Sequence, residues 1–213
     1  MKDEISIIIP SFNESKNLGI LIPKIRSILP LADIIIVDDS TGKEKDKTRV
    51  CISILKDFRI TLISRSGKGG RGSAVTDGMR EALKRKDCMI VVEMDADLAH
   101  DPDEIPLLLS KIPPADMVIG SRYLIGSHIV DWPKNRLIQS RIINFVLKYW
   151  LGLRITDYTN GFRAYTRHAA LYLVSVPLYE KGFISLSETA YLLQKKKFDK
   201  RFSEGGVVSE ISD

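Results

Sequence analysis

Two aspartates one residue apart follow an apolar run in the middle of the chain. The run at 89–94 predicts a buried strand, and Asp95 and Asp97 come directly after it. Paired carboxylates suit a hard divalent cation, Mg²⁺ or Mn²⁺, that keeps open positions for the oxygens of a substrate phosphate. The alternative is that Asp97 only caps the next turn. Because Asp101 and Pro102 already supply the start signals of the next helix, we expect Asp95 and Asp97 to be functional metal ligands.

Acidic residues also follow the first two apolar runs. Asp38 and Asp39 end the second run, where a carboxylate often accepts hydrogen bonds from a ribose or a base. An Asx turn explains this pair equally well. Ser11 and Glu14 follow the first run, and their spacing taken alone indicates a capping box for the next helix.

A glycine-rich segment at residues 67–72 follows the third apolar run and matches the G-x-G-x-x-G pattern. This pattern is typical of dinucleotide-binding loops after a first strand, so a match after the third strand is weak support. It is not a Walker A loop, because no Gly-Lys pair is followed by Ser or Thr at the required position. We infer only a flexible loop that brings Lys68 and Arg71 near a phosphate.

A long amphipathic segment runs from residue 136 to about residue 153. Polar residues recur along it at four-residue spacing: Arg136, Ser140, Asn144 and Lys148. We expect most of the opposite, apolar side to pack on the sheet. The alternative is that part of it lies in a membrane interface, which suits the amphipathic rings of Tyr149 and Trp150. The polar side would then lead an anionic head group toward the sheet edge.

The elements that must position these residues alternate between β-rich runs and helical periodicity. Short strands are predicted at 5–9, 34–37, 60–63, 89–93 and 117–119, with helices between them. This alternation predicts an α/β fold with a mostly parallel sheet and helices on both faces. Ligands of such sheets bind beyond the carboxyl ends of the strands, which is where the polar residues fall.

Composition excludes several classes of protein. With 213 residues, 44% of them hydrophobic and 28% charged, the chain is not wholly disordered, collagen-like or coiled coil. Cys51 and Cys88 lie far apart, so we expect neither a disulfide framework nor a zinc knuckle, and a reducing cytosol is the expected compartment. The first apolar run is too short for a signal peptide, and no stretch reaches the roughly 20 apolar residues that span a bilayer.

The net charge of +5 is unevenly distributed. Residues 121–213 carry 14 Lys and Arg against 8 Asp and Glu, so the basic excess lies there. Anionic lipid, a phosphorylated substrate or nucleic acid would each explain it, as would ordinary solvated side chains. Because the basic residues accompany no recognised nucleic-acid motif, we do not expect a nucleic-acid partner.

Together these motifs resemble glycosyltransferase family 2, and within it the dolichol-phosphate mannosyltransferase-like branch of polyprenyl-phosphate glycosyltransferases. The ordered set comprises I-I-I-P-S-F-N-E at 7–14, V-D-D-S at 37–40, Lys68 and Gly72 before a helix, M-D-A-D-L-A-H-D-P at 94–102, G-S-R-Y at 120–123, W-x3-R-x3-S-x3-N at 132–144 and D-x-T-N-G-F-R at 157–163. The resemblance covers roughly residues 4–190, and the ordered set is far more specific than any single motif.

The resemblance implies a GT-A (Rossmann-like) fold over residues 1–190. It also implies inverting transfer of a hexose, mannose first and glucose next, from a nucleotide diphosphate sugar, GDP-mannose favoured, to a polyprenyl (dolichyl-type) phosphate. With Lys68 added from the glycine-rich loop, the expected donor site is Pro10, Phe12, Glu14, Val37, Asp39, Lys68, Asp95, Ala96 and Asp97. The expected acceptor-phosphate site is Arg122, Arg136, Ser140 and Arg163. Asp97, Arg122 and Arg136 are the expected catalytic residues, with Mg²⁺ or Mn²⁺ on Asp95 and Asp97.

The chain departs from the family pattern at several positions. Phe12 stands where the family usually has Tyr, and Ala99 stands where a polar residue is common. The family commonly continues with a Glu-x-Pro strand and an arginine-containing loop, of which only Phe198-x-x-Arg201 and Gly205 remain. We therefore expect residues 191–213 to form a short, basic and partly disordered tail.

A polyprenyl monophosphate suits these residues because its second pKa lies near 6, so it attacks as a dianion without a general base. Two other interpretations stay open. One is a family 2 transferase acting on a soluble saccharide hydroxyl, which needs a base such as His100 or Asp131. The other is a nucleotide-sugar-binding protein with little or no activity. The expected location is the cytoplasm, with association at the cytosolic face of a membrane, directly or through an anchoring subunit, left open.

Overall fold

Seven strands of the described chain form one mixed sheet. The computed structural model describes residues 4–124, 134–152, 155–195 and 208–212, with side chains for all of these except 134, 136, 137, 151, 195 and 208–212. The strands are β1 (Ile5–Ser11), β2 (Asp33–Asp38), β3 (Ile60–Ser64), β4 (Ile90–Glu93), β5 (Met117–Ser121), β6 (Arg163–Thr166) and β7 (Val208–Ser212). Their order across the sheet is β3-β2-β1-β4-β6-β5-β7.

The pairing of the strands is mostly parallel. Strands β1 to β4 pair with one another in parallel, and β7 pairs in parallel with β5. Strand β6 lies between β4 and β5 and is antiparallel to both. The five predicted strands and the mostly parallel sheet are confirmed, whereas β6 and β7 were not predicted.

Helices cover both faces of the sheet, as predicted. They are α1 (Ser15–Ile28), α2 (Gly42–Leu55), α3 (Arg71–Leu83), α4 (Ile105–Ser110), α5 (Lys134–Leu151), α6 (Arg167–Ser175) and α7 (Ser185–Lys195). Alternate residues of β1 point to opposite faces. Ile7 and Ile9 pack in one buried cluster with α1 and α4, while Ile8 packs in a second cluster with α3, α6 and α7.

The predicted helix-start signals had different outcomes. Asp101 caps a short 3-10 turn before α4, because its carboxylate accepts the Asp103 backbone N–H at 3.1 Å, as predicted. The prediction of a capping box between Ser11 and Glu14 is wrong. Glu14 occupies the N-cap of α1 without a capping bond, and its carboxylate accepts from the Asn17 side chain at 2.6 Å instead.

Regular structure is present beyond residue 191, where the sequence predicts a tail. Helix α7 continues across it to Lys195, and residues 208–212 form β7 in parallel with β5. Part of the predicted tail therefore belongs to the sheet. Phe198, Arg201 and Gly205 lie outside the described residues.

The apolar side of α5 does not pack on the sheet, which corrects a further expectation. Phe145 is 72% exposed, Tyr149 82% and Trp150 81%. The polar Asn144 is instead buried, and its side-chain oxygen accepts the Tyr158 N–H at 2.8 Å. An outward apolar side follows because α5 is anchored to the fold through Asn144. Within the described part of the chain, every helix is too short or too polar to traverse a bilayer.

Candidate active site

A cleft of about 790 Å³ opens at the carboxyl ends of β1, β2 and β4. Most of the residues expected from the sequence line it: Pro10, Phe12, Glu14, Asp39, Lys68, Asp95, Ala96, Asp97, Arg122 and Ser140. Parallel strands bring their carboxyl ends to one edge, so residues far apart in sequence meet there. The structure therefore places the expected donor and acceptor residues around one cavity.

For three of the expected site residues, the structure shows no side chain that lines this cleft. Val37 is fully buried among core residues of β2, so its side chain does not face the cleft. Arg163 is also fully buried, and it donates to the backbone carbonyls of Leu186 at 2.7 Å and Asn160 at 2.8 Å. Its expected role at the acceptor phosphate is corrected to a structural one. The side chain of Arg136 lies outside the described residues.

The two aspartates after β4 differ in their surroundings. Asp97 is exposed, and its Oδ1 accepts the backbone N–H of Ala99 at 3.1 Å. Asp95 is partly buried, and its Oδ1 accepts two contacts from Arg71, at 2.8 Å from Nε and 2.7 Å from Nη2. Among the described residues, neither Oδ2 accepts a hydrogen bond. Two carboxylates that line the cleft, each with one oxygen that accepts no described hydrogen bond, fit a divalent cation shared with substrate phosphates.

A buried ion network missing from the sequence prediction lies beneath Asp95. Arg71 Nη1 lies 2.5 Å from Glu93 Oε1, and the other Glu93 oxygen accepts from the Tyr165 hydroxyl at 2.8 Å. Burial raises the pKa of Asp95, but the charge and hydrogen bond of Arg71, together with the charges of His100 and Arg122, hold that pKa below its ordinary value. A charged residue inside the apolar run at 89–94 was the available sequence signal, since a buried Glu93 requires a partner.

A second ion pair lies where the cleft meets the end of β2. Arg65 binds both oxygens of Asp39, with its Nη2 at 2.7 Å from Oδ2, and the Gly69 N–H donates to the same oxygen at 2.9 Å. Lys68 lies above the Phe12 ring, with its Nζ 4.7 Å from the ring centroid. Asp39 is therefore held in place by the glycine-rich loop and its neighbours, and Phe12 presents a flat face at the cleft.

Asp38, the other aspartate of the pair that follows the second apolar run, forms hydrogen bonds within a local turn. Its Oδ1 accepts the Ser40 hydroxyl at 2.7 Å and the Ser40 N–H at 3.4 Å, which is the local turn that the sequence left open. Asp38 therefore stabilises the local turn, while Asp39 lines the cleft.

Arg122 lies at the other end of the cleft and is held by Asp157. Its Nε donates to Asp157 Oδ2 at 2.7 Å and its Nη2 donates to Oδ1 at 2.9 Å. Burial opposes the charge of Asp157, but the hydrogen bond and charge of Arg122 lower its pKa below the ordinary value. Beside this pair, the Tyr123 hydroxyl donates to Ser140 Oγ at 2.6 Å. The structure thus brings Arg122 and Ser140, both expected at the acceptor phosphate, to one end of the cleft.

His100 does not fit the role of a general base. Its Nδ1 accepts the Asp95 N–H at 3.1 Å, and its Nε2 lies 2.8 Å from Asn160 Oδ1. The ring also stacks on Phe162, with centroids 5.2 Å apart. Because both ring nitrogens form hydrogen bonds, His100 connects the segment after β4, at Asp95, to the segment before β6, at Asn160. Asp131, the other candidate base, lies outside the described residues.

The model of the family described as glycosyl transferase family 2 matches residues 6–172. The chain belongs to glycosyltransferase family 2. The resemblance to this family stated from the motifs is therefore confirmed.

Two curated family 2 relatives are similar to the chain. It is 38% identical over 162 residues to the undecaprenyl-phosphate mannosyltransferase of Micrococcus luteus, covering 74% of the chain and 64% of the relative. It is 35% identical over 162 residues to the polyprenol monophosphomannose synthase of Mycolicibacterium smegmatis, covering 76% of the chain and 61% of the relative. The matched segments thus span less than two thirds of these relatives' length.

Solved structures support the GT-A fold. The fold is similar to that of a Pyrobaculum calidifontis mannosyltransferase solved with GDP-Man and Mn²⁺, with a TM-score of 0.63 and 17% sequence identity. The similarity covers 99% of this chain and 55% of that one. The predicted GT-A fold of this family 2 member is confirmed.

Proposed function

We propose that the chain transfers mannose from GDP-mannose to a polyprenyl phosphate, with inversion at the anomeric carbon. The observation that carries the proposal is one cleft with carboxylates at one end, Arg122 and Ser140 at the other, and an exposed apolar helix beside it. The two curated relatives, named as polyprenyl-phosphate mannosyltransferases, support the same donor sugar and acceptor class.

The donor nucleoside would bind over the carboxyl ends of β1 and β2. Phe12 is 41% exposed and offers its ring for stacking with a base. Lys68 above that ring supplies a positive charge close to the phosphates. Glu14 and Asp39 line the same end of the cleft and provide acceptor oxygens for ribose or base donors.

The diphosphate would lie against Asp95 and Asp97 through a divalent cation, Mg²⁺ or Mn²⁺. These two residues fit because cations that bind substrate phosphates usually take one or two protein carboxylates. When bound, such a cation supplies positive charge to the departing nucleoside diphosphate. Asp97, which is exposed, and Asp95, which is partly buried and bound to Arg71, would hold this cation.

The acceptor phosphate would lie at Arg122 and Ser140. Arginine suits this position because its guanidinium carries five N–H donors, so it could bind a phosphate while its Nε and Nη2 stay on Asp157. Asp157 fixes the orientation of that guanidinium. A phosphate oxygen then forms the new bond to the anomeric carbon as the bond to the diphosphate breaks. No protein base is required, since the acceptor is mostly dianionic at neutral pH.

The lipid chain would leave the cleft along the apolar face of α5. Ile143 is 50% exposed and lines the cleft, and Phe145, Tyr149 and Trp150 continue the apolar surface away from it. Tyr and Trp suit the membrane–water boundary. We therefore extend the proposal to a peripheral position on a membrane that contains the polyprenyl phosphate.

The proposal is tested by offering a panel of nucleotide sugars with Mn²⁺ or Mg²⁺ and a short polyprenyl phosphate, followed by mass analysis of the lipid. A mannosylated lipid from GDP-mannose is the expected product. Donor binding without any product would favour the binding-protein alternative. A product formed only on a soluble saccharide would replace the polyprenyl acceptor with a hydroxyl acceptor.

A further inference from the structure

Arg71 occupies an unusual position between the cleft and the core. It is the first residue of α3, and only 8% of its side chain is exposed. Its Nε and Nη2 both contact Asp95 Oδ1, its Nη1 contacts Glu93 Oε1, and Nη2 also donates to the Gly161 carbonyl at 3.4 Å. All three guanidinium nitrogens are therefore engaged with protein oxygens.

We propose that Arg71 is a positioning residue for the cation site of the proposed transferase. It holds Oδ1 of Asp95 by two contacts, so that Oδ2 is the oxygen that would bind the metal–diphosphate complex. The inference rests on the proposed function, because it assigns Arg71 a role only if a cation joins Asp95 and the donor. The sequence alone indicated only that a flexible loop brings Arg71 near a phosphate.

Glu93 and Tyr165 explain why an arginine beside the site does not repel a cation. Arg71 contacts two carboxylates, so the group of Glu93, Arg71 and Asp95 keeps one net negative charge. Tyr165, itself fully buried, donates to the second oxygen of Glu93 and fixes that carboxylate. The chain Tyr165–Glu93–Arg71–Asp95 thus connects the sheet interior to the cleft through directed hydrogen bonds.

The backbone around Arg71 is fixed as well. Gly70 has a φ of +92°, and a Cβ there would lie 2.4 Å from the Lys181 carbonyl oxygen, which accepts the Gly72 N–H at 2.8 Å. A Cβ at Gly161 would lie 1.9 Å from Arg71 Nη2. Glycine at 161 therefore leaves the space that the guanidinium fills. Both ends of the Arg71 side chain are consequently held in place.

The test measures GDP affinity by calorimetry, with Mn²⁺ and separately with EDTA, on the intact chain. UDP replaces GDP if GDP does not bind. The Arg71→Lys variant keeps the charge but loses the two-point contact, and we expect the Mn²⁺-dependent gain in affinity to fall about tenfold or more. Affinity in EDTA and the thermal unfolding midpoint should stay close to wild type. Arg80→Lys, on the same helix and exposed, is the matched control and should change nothing.

A double variant protects the test against misfolding. Arg71→Met leaves the buried Glu93 without its cation, so it is combined with Glu93→Gln, which can still accept from Tyr165. This variant should also lose the Mn²⁺-dependent gain while binding GDP in EDTA. An unchanged or larger gain in both variants overturns the positioning role, as does an equal loss with and without Mn²⁺. Absence of any Mn²⁺-dependent gain in the wild-type protein instead overturns the proposed metal site itself, and the inference with it.

Discussion

The donor side of the cleft, which we propose lies at the ends of β1 and β2, and the acceptor side, which we propose lies at Arg122 and Ser140, differ in where their helices place apolar residues. On the donor side, α1 buries Leu18, Leu21 and Ile25 against the sheet. On the acceptor side, α5 buries Asn144 and exposes Tyr149 and Trp150. Both helices are amphipathic, yet only α1 places its apolar face in the protein interior.

The comparison shows that helical periodicity reveals an apolar face but not the medium that covers it. On the donor side, charged groups are paired and buried, as in Asp39 with Arg65 and Asp95 with Arg71. That arrangement suits a ligand which is polar throughout. On the acceptor side, Arg122, where we propose that a phosphate binds, is accompanied by the exposed apolar surface of α5, which suits an amphipathic acceptor.

The largest effect is expected on the donor side, at Asp97. Both Asp97→Ala and Asp97→Asn should lower turnover by at least about a hundredfold, because each removes a charge that would hold the cation at the leaving group. Asn keeps an oxygen for the Ala99 N–H, so it separates loss of charge from loss of the turn. The unfolding midpoint should not move in either variant. If Asp97→Asn turned over near the wild-type rate, the proposal that a cation binds Asp97 on the donor side would be contradicted.

A smaller effect is expected at Arg122, on the acceptor side. Arg122→Lys should raise the KM for the polyprenyl phosphate roughly tenfold, since a hydrogen bond to a charged group contributes about 1.5–3 kcal/mol. The KM for the donor should change little. Arg59→Lys, whose arginine pairs with Asp33 away from the cleft, is the control. A rise confined to the KM for the donor would contradict the placement of Arg122 at the acceptor and would place it on the donor side.

The exposed face of α5 can be tested without turnover. Replacing Tyr149 and Trp150 together by Ser should reduce flotation with anionic liposomes at least tenfold, because each large apolar side chain contributes about 1.5–3 kcal/mol on burial. Phe58→Ser is the matched control, since Phe58 is 93% exposed at a site far from α5 in the chain. Equal flotation of all three proteins would mean that lipid does not cover this face.

The smallest effect concerns stability against pH at Asp157. Its pKa is lower in the folded protein than in the unfolded chain, since Arg122 outweighs the opposing influence of burial. This contribution is therefore present above about pH 4 and is lost as the pH falls through the folded pKa. The wild-type unfolding midpoint should drop more between pH 5 and 3 than that of Asp157→Asn, by about 2–4 °C for each kcal/mol. Parallel curves would show that the pair does not stabilise the acceptor side.

The parts of the fold that depend on local pattern could be predicted from the sequence. Strands β1 to β5 are apolar runs with polar residues at their ends, and the metal-ligand prediction for Asp95 and Asp97, which line the cleft, came from that arrangement alone. Strand β6 has four residues without alternation, and its place between β4 and β5 depends on contacts with residues some 45–75 positions earlier. A local sequence pattern cannot predict pairing between strands that lie so far apart in sequence.

The site was predicted less completely than the fold. Motif membership placed Arg163 at the acceptor, but its guanidinium points into the core and satisfies backbone carbonyls. The partners of Asp39 and Asp95 lie 26 and 24 residues away in sequence, so only the folded chain brings them together. Ion pairs of this kind are set by tertiary geometry, which residue type and spacing do not contain.

The antiparallel β6 also has a consequence for synthesis on the ribosome. Strands β1 to β4 can pair as soon as they emerge, but β5 joins the sheet only through β6, which is made more than 40 residues later. Until then the outer edge of β4 has no neighbour, and unpaired edges invite association with other chains. A nascent chain stalled before Arg163 would therefore carry an open strand edge where the finished protein has the floor of its cleft.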